Sequence, residues 1–176
     1  KRAFEIVLTT LHSGGKFTDS AYKTSGGLHG VGISVVNALS EKLEIKIYKN
    51  SKQYSQTYVR GKTKSKVRIE KSKKNLRGTE ICFIPDNEIF ESINFSPKKL
   101  YNFIKMKAVL VKGTKISFSI DKELISDKTP HHGDFLYPKG IIDFMKENFT
   151  SRKKIISTGF HSNFQLNSGE MCEIYI

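Results

Sequence analysis

The sequence predicts an α+β fold with a largely antiparallel sheet, and the same pattern of helices and strands also fits other two-layer α/β arrangements. Two observations predict it: apolar residues recur at helical spacing in several segments, and they alternate with polar residues in short segments between them. Short polar loops join the alternating segments, which is typical of an antiparallel meander. With 176 residues, the chain is long enough for one domain, or for one domain and part of another.

The first half of the chain predicts two helices and then four strands. Phe4–Leu11 is apolar at helical spacing, and a second helix starts at Ile33 after a glycine-rich turn over residues 26–32. Between them, residues 16–25 are polar and predict a loop of the length that functional lids have. Strands are predicted over 43–47, 53–59, 66–70 and 79–85. The last of these is apolar on both faces, which predicts a central strand.

The second half predicts two more helices and two more strands. Ser96 and Pro97 are typical of a helix start, and Gly113 ends that helix. A strand is predicted over 115–120, an irregular segment over 122–134, a helix over 138–149 and a final strand over 171–176.

Composition and charge limit the classes of function. No apolar run approaches the length of a transmembrane helix, and the start of the chain does not have the pattern of a secretory signal. The net charge is +13, of which +11 lies between Lys42 and Arg77. Such a stretch can steer nucleic acid towards a protein, but a solvated surface is the favoured explanation, because the basic residues are mostly Lys and few aromatic residues or Arg accompany them.

The glycine turn before Ile33 predicts either an anion site or a tight structural turn. Glycines allow close approach of a ligand, and helix N-termini offer unpaired N–H groups to phosphates. Gly27, Gly30 and Gly32 do not have the order of a Walker A loop, a Rossmann turn or a kinase loop. Glycine spacing alone therefore leaves both interpretations open.

Two neighbouring segments favour a nucleotide site. The segment LHSGGKF, Leu11–Phe17, adds a glycine pair and Lys16, a cation that could fold over phosphates. Tyr22 could cover a base, and Thr79 could offer a hydroxyl to the base edge at the start of a strand.

Together these segments resemble the ATPase region of the type IIA topoisomerase B subunits, which are GHKL-superfamily proteins. The most specific match is GGLHGVGISVVNALS, residues 26–40, supported by LHSGGKF and by RGTEICFIPD, residues 77–86. Residues 95–118 and 135–145 look more like the topoisomerase IV branch than the gyrase branch. The resemblance implies a two-layer sandwich with a mixed, mostly antiparallel sheet and helices on one face. Other GHKL proteins have different glycine motifs.

The resemblance also implies the site residues. The β- and γ-phosphates of ATP would be wrapped by the backbone N–H groups of six residues: Gly27, Leu28, His29, Gly30, Val31 and Gly32. Lys16 would contact the γ-phosphate, Gly15 and Tyr22 would line the pocket, and Thr79 would lie under the adenine. The family's general-base glutamate and its Mg²⁺-binding asparagine are expected upstream, so we expect an internal fragment that is inactive alone.

For the whole protein, the resemblance implies an ATP-hydrolysing topoisomerase of the bacterial cytoplasm and nucleoid, without membrane contact. ATP binding would join two B subunits and close a gate on DNA, with two A subunits completing the complex. Residues 1–150 would form a partial ATPase domain, and 151–176 the first strands of a transducer domain. The alternatives are a gyrase-type protein and a non-catalytic fragment that binds nucleotide or DNA.

Overall fold

The computed structural model describes residues 2–13, 30–72, 75–149, 159–167 and 171–176. The chain divides into two compact units, Lys1–Asn94 and Phe95–Ile176. The predicted boundary between an ATPase and a transducer domain at residue 150 falls on residues outside the described ranges, and it stays a prediction.

The described residues of unit 1 form a sheet with two short helices. The helices are α1 (Ala3–Thr9) and α2 (Gly32–Ala38). The strands are β1 (Ser40–Lys49), β2 (Lys52–Val59), β3 (Lys62–Thr63), β4 (Arg68–Lys71) and β5 (Gly78–Pro85). The strand order is β3-β2-β1-β5, and β4 pairs with the other end of β2. Every described pair is antiparallel, whereas the resemblance implied a mixed sheet.

Both helices of unit 1 pack on one face of this sheet, as predicted. Alternate residues of β1 point to the same face, so Leu43 and Ile45 are buried against Leu8 of α1 and Tyr58 of β2. Apolar side chains of α2 pack on the same cluster. This arrangement places the start of α2 above the sheet.

The prediction of a central position for β5 is wrong for the described sheet. Among the described residues β5 pairs with β1 alone and forms the edge. Its apolar side chains are exposed on both faces, with Ile81 and Phe83 each 41% and Ile84 44% accessible. Apolar residues on both faces indicate burial only where a second layer covers each face, and the described residues leave these side chains accessible. The meander prediction is correct only for β1 to β4, since β5 returns to the far side of β1.

The part of unit 2 that the structure describes contains two helices and two antiparallel strand pairs. The helices are α3 (Pro97–Leu110) and α4 (Ile141–Phe149). The strands are β6 (Ile116–Ser119), β7 (His132–Phe135), β8 (His161–Gln165) and β9 (Met171–Tyr175). β6 pairs with β7, and β8 with β9, both antiparallel. The Ser96 hydroxyl accepts the Lys99 N–H at 3.4 Å, which confirms the predicted helix start.

The core of unit 2 is aromatic. Ala108 and Val109 of α3 pack with Phe118, Phe135 and Tyr137. The irregular segment predicted over 122–134 is wrong in part, because it contains a 3-10 turn and most of β7. The sequence pattern missed β7 because that strand is only four residues long and begins with polar residues.

Candidate functional site

The structure describes four of the ten predicted site residues. Gly30, Val31 and Gly32 lie at the start of α2, and Thr79 lies on β5. The remaining six are outside the described residues: Gly15, Lys16, Tyr22, Gly27, Leu28 and His29.

The described end of the glycine turn leads directly into α2. Gly30 has a φ of +61°, a conformation that side chains disfavour. Val31 is the residue before the helix, and its carbonyl accepts the Val35 N–H and the Ser34 hydroxyl, each at 2.9 Å. The first N–H groups of α2 have no partner within the helix, as at any helix start.

Gly32 has no packing reason to be glycine among the described residues. A Cβ built there meets nothing within 4 Å, and its φ is not positive. Glycine is also a poorer helix former than alanine, by about 1 kcal/mol in a helix interior. The fold of the described residues therefore does not explain this glycine, whereas close approach of a ligand to the backbone would.

Thr79 lies on the sheet face that carries α2. It pairs with Ile47 of β1, whose side chain packs on the helix-facing cluster. Side chains paired across two antiparallel strands point to the same face, so Thr79 also points to the helix side. Thr79 is exposed. The structure thus places Thr79 and the start of α2 on one face of unit 1.

The C-terminal end of α2 is fastened to three other parts of unit 1. The Asn37 amide donates to the carbonyls of Leu8 at 2.9 Å and Gly61 at 3.3 Å. The Leu39 carbonyl accepts the Asp86 N–H, and the Ser40 carbonyl accepts the Arg60 N–H, each at 3.0 Å. Sequence reasoning gave these residues no role in the site, since no spacing rule links positions so far apart.

A buried carboxylate supports this junction. Asp86 is only 1% exposed, and Arg60 Nε lies 2.7 Å from its Oδ2. The same guanidinium contacts the Glu88 carboxylate, and the Glu88 N–H donates to Asp86 Oδ1 at 3.0 Å. Hydrogen bonds to the carboxylate of Glu88 and, to a smaller extent, to that of Asp86 raise the pKa of the Arg60 guanidinium.

Glu5 on α1 is engaged in holding that helix to the sheet. Its carboxylate accepts the Arg2 N–H at 2.7 Å and the Gln56 amide at 3.0 Å, and these bonds lower its pKa. Tyr58 donates to Gln56 at 2.7 Å, and burial raises the pKa of Tyr58 to about 12. These contacts give Glu5 a structural role.

The basic stretch is partly neutralised on the surface of unit 1. Lys46 pairs with Glu80 at 2.8 Å and Arg68 with Glu70 at 2.7 Å. Across the described ranges, no group of three His, Cys, Asp or Glu is placed to hold a metal ion. None of the helices in the described part of the chain is long and apolar enough to cross a membrane.

The chain is similar over almost its whole length to bacterial topoisomerase subunits. It is 46% identical over 172 residues to the B subunit of DNA topoisomerase 4 from Rickettsia felis, covering 97% of this chain and 26% of that protein. The same protein of Caulobacter vibrioides is 46% identical over 149 residues, 84% of this chain and 21% of that protein. The chain belongs to the family of type IIA topoisomerase B subunits. It spans about a quarter of the length of the relatives it matches.

The chain is also similar to gyrase B subunits. The B subunit of DNA gyrase from Thermotoga maritima is 42% identical over 146 residues, 83% of this chain and 22% of that protein. The 43K ATPase domain of Thermus thermophilus gyrase B, solved with an aminocoumarin, superimposes with a TM-score of 0.69 at 28% identity. This match covers 95% of this chain and 40% of that one, and it confirms the predicted GHKL fold. No family model matches the chain.

Proposed function

We propose that this chain binds the phosphates of ATP at the start of α2. The residues that would hold the nucleotide are those predicted from the family motif: Gly15, Lys16, Tyr22, Gly27, Leu28, His29, Gly30, Val31, Gly32 and Thr79. Backbone N–H groups would wrap the phosphates, Lys16 would add a cation, and Thr79 would lie under the adenine. A protein accelerates phosphoryl transfer by positioning the reactants and by stabilising the developing charge, which fixed N–H dipoles can do.

The observation that carries this proposal is the unexplained glycine at position 32. A Cβ there meets none of the described residues, and alanine is the better helix former. Gly30, two residues earlier, has a positive φ that favours glycine. The backbone conformation therefore explains Gly30 but not Gly32. A ligand that approaches the backbone closely accounts for Gly32.

A Gly32→Ala variant tests this proposal by separating stability from binding. We expect its free energy of unfolding to stay unchanged or to rise by up to about 1 kcal/mol, because alanine favours the helix. Its affinity for the non-hydrolysable ATP analogue AMP-PNP, measured by calorimetry, should fall at least tenfold. Gly113→Ala is the control for affinity, because it lies in unit 2 and a Cβ there also meets none of the described residues. Unchanged affinity in Gly32→Ala would count against the proposal.

For the whole protein we propose an ATP-driven DNA topoisomerase of the topoisomerase IV type. The names of the relatives support this: the B subunit of topoisomerase 4 is matched at 40–46% identity, and that of gyrase at 42% over a shorter stretch. ATP with Mg²⁺ would close a dimer of B subunits on DNA, two A subunits would complete an A2B2 complex, and the protein would act in the cytoplasm at the nucleoid. The alternative is a gyrase, which would supercoil relaxed DNA with ATP where a topoisomerase IV would unlink catenated circles.

A further inference from the structure

Asn37 is a polar side chain with 0% exposure at the end of α2 that is farther from the glycine turn. It follows Gly32 by five residues, which corresponds to about 7–8 Å along the helix axis. It therefore does not belong to the turn that would hold phosphates.

The Asn37 amide joins three elements at one point. Nδ2 donates to the Leu8 carbonyl of α1 at 2.9 Å and to the Gly61 carbonyl of the turn between β2 and β3 at 3.3 Å. The chain leaves α1 after Thr9 and enters α2 at Gly32. The bond to Leu8 therefore joins the end of α1 to the last turn of α2.

The stability of the fold alone gives asparagine little advantage over an apolar residue at position 37. Its Oδ1 is buried without a hydrogen-bond partner among the described residues. An unpaired buried polar atom costs about 1–3 kcal/mol. Leucine has a similar volume and would remove that cost, although both carbonyls would lose their donor. What asparagine supplies and leucine lacks is a fixed position of α2 relative to both carbonyls.

A second observation places the β2–β3 turn directly against α2. Gly61 has a φ of +76°, and a Cβ there would lie 3.2 Å from the Ala38 Cα. Backbone atoms cannot give way at that distance as flexible side chains can. The last turn of α2 is therefore held by backbone contact on one side and by the Asn37 bond to α1 on the other.

We propose that Asn37 is a positioning residue for nucleotide binding. Through its bonds to Leu8 and Gly61 it fixes α2, and so holds the N–H groups at Gly30–Gly32 where they meet the phosphates. This inference rests on the proposed function, since it assigns Asn37 a part in the same site without contact to the ligand.

The test compares two substitutions, Asn37→Leu and Asn37→Ser, in the full chain. Leucine keeps the volume and removes both donors, whereas serine keeps a polar group that is too short to bridge both carbonyls. Affinity for AMP-PNP is measured by calorimetry at a temperature where circular dichroism shows each variant folded. We expect at least tenfold weaker binding. Amide exchange at residues 30–36 should accelerate at least tenfold, while exchange in β1 and β2 stays within twofold of the parent chain.

Tyr58→Phe is the matched control. Tyr58 is as buried as Asn37 and belongs to the same interface between α1 and the sheet, where its hydroxyl donates to Gln56 at 2.7 Å. Its loss should lower stability but leave both the AMP-PNP affinity and the exchange at residues 30–36 within twofold. A merely structural Asn37 would behave as this control does.

Each outcome decides one question. If folded Asn37 variants keep parental affinity and parental exchange at residues 30–36, the inference is overturned. If Asn37→Leu does not fold, Asn37→Ser decides by the same two criteria. If the parent chain itself does not bind AMP-PNP, the proposed function fails, and the exchange data alone decide whether Asn37 positions α2.

Discussion

At the scale of single residues, unit 1 depends on how the buried carboxylate of Asp86 is compensated. Arg60→Leu would leave that carboxylate without its cation, and an unpaired buried polar group costs about 1–3 kcal/mol, or more when it is charged. We expect a loss of this size in the free energy of unfolding, measured with urea. Arg68→Leu is the control, because its ion pair with Glu70 is largely exposed and should contribute less than about 1 kcal/mol. Equal losses in both variants would contradict this account of Asp86.

The Glu147 carboxylate predicts how unit 2 responds to acid. Lys105 Nζ at 2.9 Å and then the Tyr137 hydroxyl at 2.7 Å lower the pKa of Glu147 below its usual 4.5. A lowered folded-state pKa stabilises the fold above the unfolded-state pKa, and the contribution is lost as the pH falls through the folded-state value. Glu147→Gln should therefore be less stable than the parent chain at pH 7, and the difference should shrink towards pH 3.

Urea unfolding at both pH values measures this difference. Glu123→Gln removes an exposed carboxylate of unit 2 that has no ion pair within the described ranges. It should match the parent chain at both pH values. A Glu147→Gln difference that stays constant from pH 7 to pH 3 would show that the ion pair does not contribute as argued.

At the scale of elements, the entry into α4 requires glycine at position 140. Gly140 has a φ of +59°, and a Cβ there would lie 3.0 Å from the Val109 carbonyl oxygen and 2.8 Å from Lys112 Cε. Gly140→Ala should cost about 1–3 kcal/mol from overpacking in addition to the positive φ. Gly113→Ala shares the positive φ, but its Cβ would contact none of the described residues, and it should cost only about 1–2 kcal/mol. Thermal unfolding compares them, and equal shifts would contradict the packing argument.

The elements also show what local pattern can and cannot predict. Leu43 and Ile45 alternate with charged residues, and β1 is buried on one face as that pattern predicts. The position of β5 could not be predicted, because the same apolar residues suit a central strand or an edge whose faces are accessible. β8 was missed because its five residues, HSNFQ, show no apolar alternation.

The local sequence pattern likewise predicts only a part of the candidate site. The glycines before α2 were predictable because the chemistry of a phosphate-binding turn is local in the sequence. The contacts of Asn37 with Leu8 and of Arg60 with Asp86 span 29 and 26 residues. They depend on which elements the fold brings together, and no local pattern contains that information.

At the scale of the whole molecule, the family assignment depends on one long motif more than on composition. The charge of +13 fits either DNA steering or a solvated surface, and the pairing of Lys46 and Arg68 with acids does not decide between them. The resemblance rests chiefly on residues 26–40, GGLHGVGISVVNALS, the most specific stretch of the sequence. The whole-protein proposal therefore follows from the relatives, and its test has to be made on the whole protein.

The most direct test uses the full-length protein that contains this chain, together with its A subunit. Catenated DNA circles are incubated with ATP, and the products are separated on a gel. We predict ATP-dependent unlinking, which is lost in Gly32→Ala and retained in Gly113→Ala. Supercoiling of relaxed circles would instead assign the protein to the gyrase branch. Neither unlinking nor supercoiling with ATP, or full activity in Gly32→Ala, would contradict the central claim that an ATP site at the start of α2 drives this enzyme.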